Sequence, residues 1–205
     1  MKESLTQKAL KKGLFKVKIH NLRDFTKDKH RIVDDRPFGG GSGMVMKIEP
    51  IFKAVSKLKK PKKSKVILFT PRGKKFNQQM AYSWSKLNQI VFICGRYEGV
   101  DERVAKYVAD EEVSMGDYVL MGGELPAMTC LETIARLIPG VIGKEGLLKE
   151  RITKEKGFME YAQYTRPEVF QPKKGKKWVV PNVLLSGNHK QIEEWRNKYG
   201  KNVSA

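Results

Sequence analysis

Residues 90–120 read IVFICGRYEGVDERVAKYVADEEVSMGDYVL, and their pattern decides the fold class. The run Ile90-Val91-Phe92-Ile93-Cys94 is short, rich in β-branched residues and free of polar alternation. That is the composition of a strand buried on both faces of a parallel sheet. It breaks at once into Gly95-Arg96-Tyr97-Glu98-Gly99, where the missing Cβ atoms let backbone approach a ligand closely. A helix is expected from about Asp101 to Ala109. Ser114-Met115-Gly116-Asp117 then leads into a second apolar run, Tyr118 to Met121, which is expected to be a strand and breaks at Gly122-Gly123.

The same grammar occurs upstream, where Val66-Ile67-Leu68-Phe69 runs into Thr70-Pro71-Arg72-Gly73. One such loop would do no more than close a turn. Three of them predict a ligand crevice at the carboxyl edge of an open, mostly parallel α/β sheet flanked by helices. No G-x-G-x-x-G opens a helix after a strand, and no glycine loop ends in Gly-Lys-Ser/Thr, so dinucleotide and P-loop nucleotide sites are poorly supported.

The chain has 205 residues, enough for a substantial core, and its 41 Lys+Arg against 22 Asp+Glu give a net charge of +19. Such an excess attracts polyanions, and nucleic acid is preferred over an anionic membrane because no basic amphipathic helix with a bulky apolar face stands out. No apolar run is long enough to cross a bilayer and no signal peptide is visible, so no membrane partner and a cytoplasmic location are expected. Cys94 and Cys130 lie in apolar surroundings and are expected to be unrelated, reduced thiols. His20, His30 and His189 are scattered, with no Cys/His spacing that fits a metal site.

Along the chain, Ser4 is placed to cap a short helix carrying Leu5, Ala9 and Leu10, and Phe15 to Ile19 alternates like a strand with one wet face. Met44 to Leu58 has a helical apolar pattern, and the lysine-rich Lys57 to Lys65 reads as an exposed helix end stopped by Pro61. Leu125 to Leu137 is helical, with Met128, Leu131, Ile134 and Ala135 as its apolar face. Lys144 to Met159 reads as a mobile or partly helical connector, and Gln171 to Lys177 as a basic loop. Trp178 to Leu185 is expected to be extended, and Lys190 to Lys198 a helix with Ile192 and Trp195 inward.

Seven stretches resemble the bacterial tRNA (guanine-N1)-methyltransferase family: DDRPFGGGSGM at Asp34–Met44, TPRGKKFNQ at Thr70–Gln78, CGRYEGVDERV at Cys94–Val104, SMGDYVLMGGELPAM at Ser114–Met128, IPGVIG at Ile138–Gly143, YTRPEVF at Tyr164–Phe170 and VLLSGNH at Val183–His189. The resemblance implies methyl transfer from S-adenosylmethionine to N1 of the guanosine immediately 3′ of the anticodon in tRNA. It also implies a deep trefoil knot in the strands and a homodimer whose site forms between two subunits.

By resemblance, Gly95, Met115, Gly116, Asp117, Tyr118, Val119 and Leu120 contact the cofactor. Thr70, Pro71, Tyr97, Glu98, Gly122, Gly123 and Pro126 surround it. Asp34, Asp35, Arg36, Gly41 and Gly43 belong to a loop near the target guanine. Arg136 matches an assisting arginine. The family's general-base aspartate finds no match among residues 144–163, so Glu150 is expected to replace it and activity to be weakened; the rival reading is an impaired protein of this fold that binds S-adenosylmethionine or RNA. The resemblance divides the chain into a knotted methyl-donor domain at 1–143, a connector at 144–163 and a C-terminal segment at 164–205. It leaves the family's first strand and most of its helical tRNA-binding domain without counterparts.

Overall fold

The computed structural model describes residues 4–58, 61–143, 152–153 and 157–202. The chain divides into two compact units, Met1–Glu145 and Gly146–Ala205.

In the first unit, helix α1 (Ser4–Lys11) and a short 3-10 turn (Leu22–Phe25) precede two small antiparallel strands, β1 (Asp34–Asp35) and β2 (Val45–Met46). Helix α2 (Ile48–Lys57) follows, with Pro50, Ile51, Ala54 and Val55 buried along one stripe. The sheet is built from β3 (Ser64–Lys75), β4 (Gln89–Ile93) and β5 (Glu111–Ser114), all parallel, in the order β4-β3-β5. Helices α3 (Gln78–Trp84) and α4 (Glu102–Tyr107) make the crossovers, and α5 (Glu124–Ala135) follows the last strand.

Burial on both faces explains why β3 lacks polar alternation. Val66 and Leu68 point into one core with Met46, Ile51, Val55, Ile93 and Val104. Ile67 points into the opposite core with Ala81, Trp84, Val113, Cys130 and Ile134. Trp84 anchors that second layer, its ring 5.4 Å from Phe76 and 6.4 Å from Phe92. The parallel sheet flanked by helices is thus the architecture expected from the apolar runs at 66–69 and 90–94.

Three expectations for this unit are corrected. The third strand is β5, upstream of Tyr118–Met121, because Val113 and Ser114 fill the buried edge position of the sheet. Tyr118–Met121 instead forms a loop in which Val119 and Met121 are 83% and 86% exposed. Phe15–Ile19 joins no strand ladder among the described residues, and Ile19 is exposed, so alternation there has no core to face. On α5 the buried row is Pro126, Cys130 and Ile134 with Ala135, while Met128 is half exposed; a four-residue spacing, not Met128, defines the packed stripe.

The second unit contains β6 (Ile152–Thr153) and β7 (Gly157–Glu160), paired antiparallel, with β10 (Lys201–Asn202) on the other edge of β7. The described part of the expected connector is therefore strand, not helix; its remaining residues, 144–151 and 154–156, lie outside the described residues. The basic loop at Gln171–Lys177 is a hairpin of β8 (Val169–Lys173) and β9 (Lys176–Val179), closed by Lys174-Gly175 with Gly175 at φ 85°. Glycine takes that left-handed turn position without steric cost. Trp178–Leu185 is extended only as far as Val180, because Pro181 starts α6 (Asn182–Leu185). Helix α7 (His189–Tyr199) is capped by the Asn188 side chain, which accepts a hydrogen bond from the Gln191 N–H at 3.2 Å. Ile192 and Trp195 are half-buried on it, and Trp195 packs against Tyr164 and Tyr199 at 6.2 and 5.0 Å.

Candidate functional site

The carboxyl ends of the three parallel strands open into one crevice with a cavity of about 470 Å³. From β3 it is lined by Thr70, Pro71 and Arg72, and from the β4 loop by Gly95 through Gly99. The loop after β5 contributes Met115, Tyr118 to Met121, Gly122 and Gly123, and α5 contributes Pro126. Twelve of the fourteen residues expected to hold a cofactor line this cavity; Gly116 and Asp117 do not. Gly116 acts one step back: at φ 155°, a Cβ on it would lie 2.5 Å from the Tyr118 ring, so its lack of side chain lets Tyr118 reach the lining. Asp117 turns outward to pair with Lys75 at 2.5 Å.

Local folding explains the convergence. Phe69 and Lys74 both register against Val113, so Thr70–Gly73 loop out of β3 at the sheet edge. Gly73 permits this because a Cβ there would collide with the Glu112–Val113 backbone. The segment after β5 then crosses back to the β4 end, where the Gly123 N–H donates to the Gly95 carbonyl at 3.0 Å and Arg96 bridges Gly122. Arg96 Nε donates to Glu124 Oε1 at 2.8 Å, fastening the crossing to the first turn of α5.

The lining carries two arginines, Arg72 and Arg96, and two glutamates, Glu98 and Glu102. Arg72 and Glu102 pair at 2.6 Å, which holds the guanidinium more firmly protonated than usual. Mixed charge beside apolar surface suits a zwitterionic, partly apolar ligand better than a polyphosphate. Arg72, Arg96 and Glu102 were not expected in the site, although all three stand inside the TPRGKKFNQ and CGRYEGVDERV stretches. Beneath the crevice, burial and Glu124 push the Cys94 thiol up to about 11, and burial pushes Cys130 to about 12, so both stay neutral. Neither cysteine has a disulfide partner.

Asp34, Asp35, Arg36, Gly41 and Gly43 do not line the cavity, but their loop is fixed to its rim. Asp34 and Asp35 register against Met46 and Val45. The Glu98 N–H donates to the Met44 carbonyl at 3.0 Å, and the Met46 N–H to the Gly99 carbonyl at 2.9 Å. Gly43 sits so close to Glu98 that a Cβ there would lie 2.5 Å from Glu98 Cγ. Arg136 is exposed at the C-cap of α5, roughly 20 Å along the helix from Gly123 at about 1.5 Å per residue. It is not brought to the crevice of its own chain. Glu150 lies outside the described residues. Glu160, which the sequence-based expectation omitted, is the one carboxylate of residues 144–163 with a described backbone, and it is held in β7 opposite Lys201. Its strand position only becomes visible once β6, β7 and β10 are paired.

Among the described residues, no cluster of His, Cys, Asp and Glu could hold a metal ion, and no helix is long and apolar enough to cross a membrane. The sequence profile of the family described as tRNA (guanine-1)-methyltransferase TrmD matches residues 1–204. The chain is 55% identical over 195 residues to a tRNA (guanine-N(1)-)-methyltransferase of Dictyoglomus turgidum, covering 95% of this chain and 76% of the relative. It is 47% identical over 198 residues to one from Carboxydothermus hydrogenoformans, covering 97% and 76%, and 49% identical over 197 residues to one from a Geobacter species, covering 96% and 77%. With a match of this extent, the chain belongs to the tRNA (guanine-1)-methyltransferase family.

Proposed function

We propose that the protein transfers a methyl group from S-adenosylmethionine to N1 of the guanosine immediately 3′ of the anticodon in tRNA. The observation that carries this reading is the convergence of three glycine loops on one cavity in a chain of this family. The cavity is of a size suited to a small organic cofactor. Its paired charges match the amino-acid end of S-adenosylmethionine, and the apolar Leu120, Val119 and Pro126 match the adenosine face. In-line placement of the methyl carbon and the guanine N1 supplies much of the acceleration.

The guanine N1 carries a proton at neutral pH, so a base must take it as the methyl arrives. We assign that role to a carboxylate of residues 144–163. Glu150 is the candidate. Arg136 assists charge balance, and its distance from the crevice of its own chain supports a homodimer in which it serves the second subunit. Dimerisation through exposed Tyr118, Val119, Met121 and Leu125 would also cover the apolar rim.

The crossing of 115–123 over the end of β3 is where a trefoil knot would form. Residues 1–143 then make the knotted methyl-donor domain, 144–163 the connector and 164–205 a C-terminal segment that adds to tRNA binding. As a tRNA-modifying enzyme the protein would work in the cytoplasm. Primer extension on a tRNA transcript treated with protein and S-adenosylmethionine tests the reading, since N1-methylguanosine blocks Watson–Crick pairing. A donor-dependent stop at the guanosine after the anticodon is expected; a stop elsewhere, or none, refutes it.

A further inference from the structure

The β8–β9 hairpin carries a surface that the crevice does not use. From Val169 to Val180 it contains Lys173, Lys174, Lys176 and Lys177 and no carboxylate. Lys173 registers directly opposite Lys176, a like-charge cross-strand pair that destabilises a hairpin left alone. Among the described residues none of the four lysines has an ion-pair partner. Behind this tip, Phe170 registers opposite Trp178, their rings 5.6 Å apart and tilted by 42°, each about half exposed. Lys176 lies over the Trp178 ring at 5.8 Å. An isolated two-stranded ribbon is marginal in water, so an exposed aromatic pair beside four unneutralised lysines is costly unless a ligand covers both.

We propose that this hairpin is an RNA-binding arm: an unpaired nucleobase of the tRNA stacks on Trp178 and Phe170, and the flanking phosphates are neutralised by Lys173, Lys174, Lys176 and Lys177. Aromatic platforms with interleaved cations are how proteins hold unpaired nucleotides, since every base offers a π-face and every nucleotide a phosphate. An anionic lipid surface would satisfy the lysines but gives no reason for a cross-strand ring pair with open faces. The inference rests on tRNA being the substrate and adds a contact site to that reading.

The test is tRNA affinity of the full chain by filter binding across a salt series, with S-adenosylmethionine affinity measured in parallel as a control for folding. Trp178→Leu is expected to weaken tRNA binding roughly 5- to 150-fold, the equivalent of one lost stacked base, while Trp178→Phe retains most of the affinity. Replacing the four lysines by serine should flatten the dependence of log affinity on log salt by up to about 3, at about 0.7 per lost phosphate contact. Quenching of tryptophan emission by tRNA should disappear in Trp178→Phe and persist in Trp195→Phe. Unchanged tRNA affinity in both Trp178→Leu and the lysine variant overturns the proposal, as does equal binding of the parent to vesicles of anionic phospholipid. Loss in the lysine variant alone overturns the stacking role. Hairpin-dependent RNA binding without any methyl transfer would instead sink the proposed function and leave the arm standing.

Discussion

Gly123 lies against the backbone of Cys94: a Cβ on Gly123 would come 2.6 Å from the Cys94 Cα, while its N–H donates to the Gly95 carbonyl at 3.0 Å. This contact joins the segment after β5 to the end of β4 and closes the crevice floor. Because the opposing atom is backbone, it cannot swing aside. Gly123→Ala should therefore push the crossing segment off β4, lower stability by about 1–3 kcal/mol and abolish measurable S-adenosylmethionine binding. Thermal melts and calorimetry check both, with Gly143→Ala as the control, since nothing lies within 4 Å of a Cβ there.

Gly116 gives a different outcome from the same kind of substitution. A Cβ added there would meet the end of a side chain, the Tyr118 ring at 2.5 Å, and its φ of 155° is one that alanine rarely adopts. Tyr118 is 58% exposed and can move. Gly116→Ala is expected to cost less stability than Gly123→Ala but still to reduce cofactor affinity at least tenfold by displacing Tyr118 from the lining. Equal affinity in parent and variant would show that Tyr118 is not part of the binding surface.

The buried Cys130 thiol makes a prediction about pH. Its folded pKa of about 12 lies above the ordinary thiol value near 9. Below pH 9 both folded and unfolded chains keep the proton and this group contributes no pH dependence. As pH rises from 9 towards 12 the unfolded chain loses the proton first, so stability falls across that window. Chemical denaturation at pH 8 and pH 10.5 should show a smaller alkaline loss for Cys130→Ala than for the parent, although the variant starts from lower stability because of the cavity it leaves. Identical alkaline losses would exclude the thiol as the titrating group.

The sheet and most of the crevice were legible in the sequence because the information there is local. Val66–Phe69 and Ile90–Cys94 are apolar on both faces and run into glycine loops, which places two strands beside the crevice, although β3 resumes beyond its loop and ends only at Lys75. Tyr118–Met121 misled because an apolar run has the same composition whether it fills a sheet or rims a cavity; Glu111–Ser114, with two acids in four residues, became the strand because Glu111 pairs with Lys65 at 2.7 Å and only Val113 and Ser114 need burial. Pairings between distant residues were not legible. Ile152 opposite Phe158, Glu160 opposite Lys201, and Phe170 opposite Trp178 depend on register, which no single stretch encodes. The Arg96–Glu124 latch was hidden for the same reason, its partners standing 28 residues apart.

Delivery of a methyl group from this crevice to guanine N1 is measured by single-turnover transfer of labelled methyl from S-adenosylmethionine to a tRNA transcript at saturating cofactor and low salt. Transfer is expected in the parent, with Gly123→Ala silent and Arg136→Ala strongly slowed. Glu150→Gln should fall by roughly 10²–10⁴-fold, the scale of general-base assistance. No transfer by the parent, or parent-like rates in Gly123→Ala, would show that the crevice is not where the methyl group is passed to guanine.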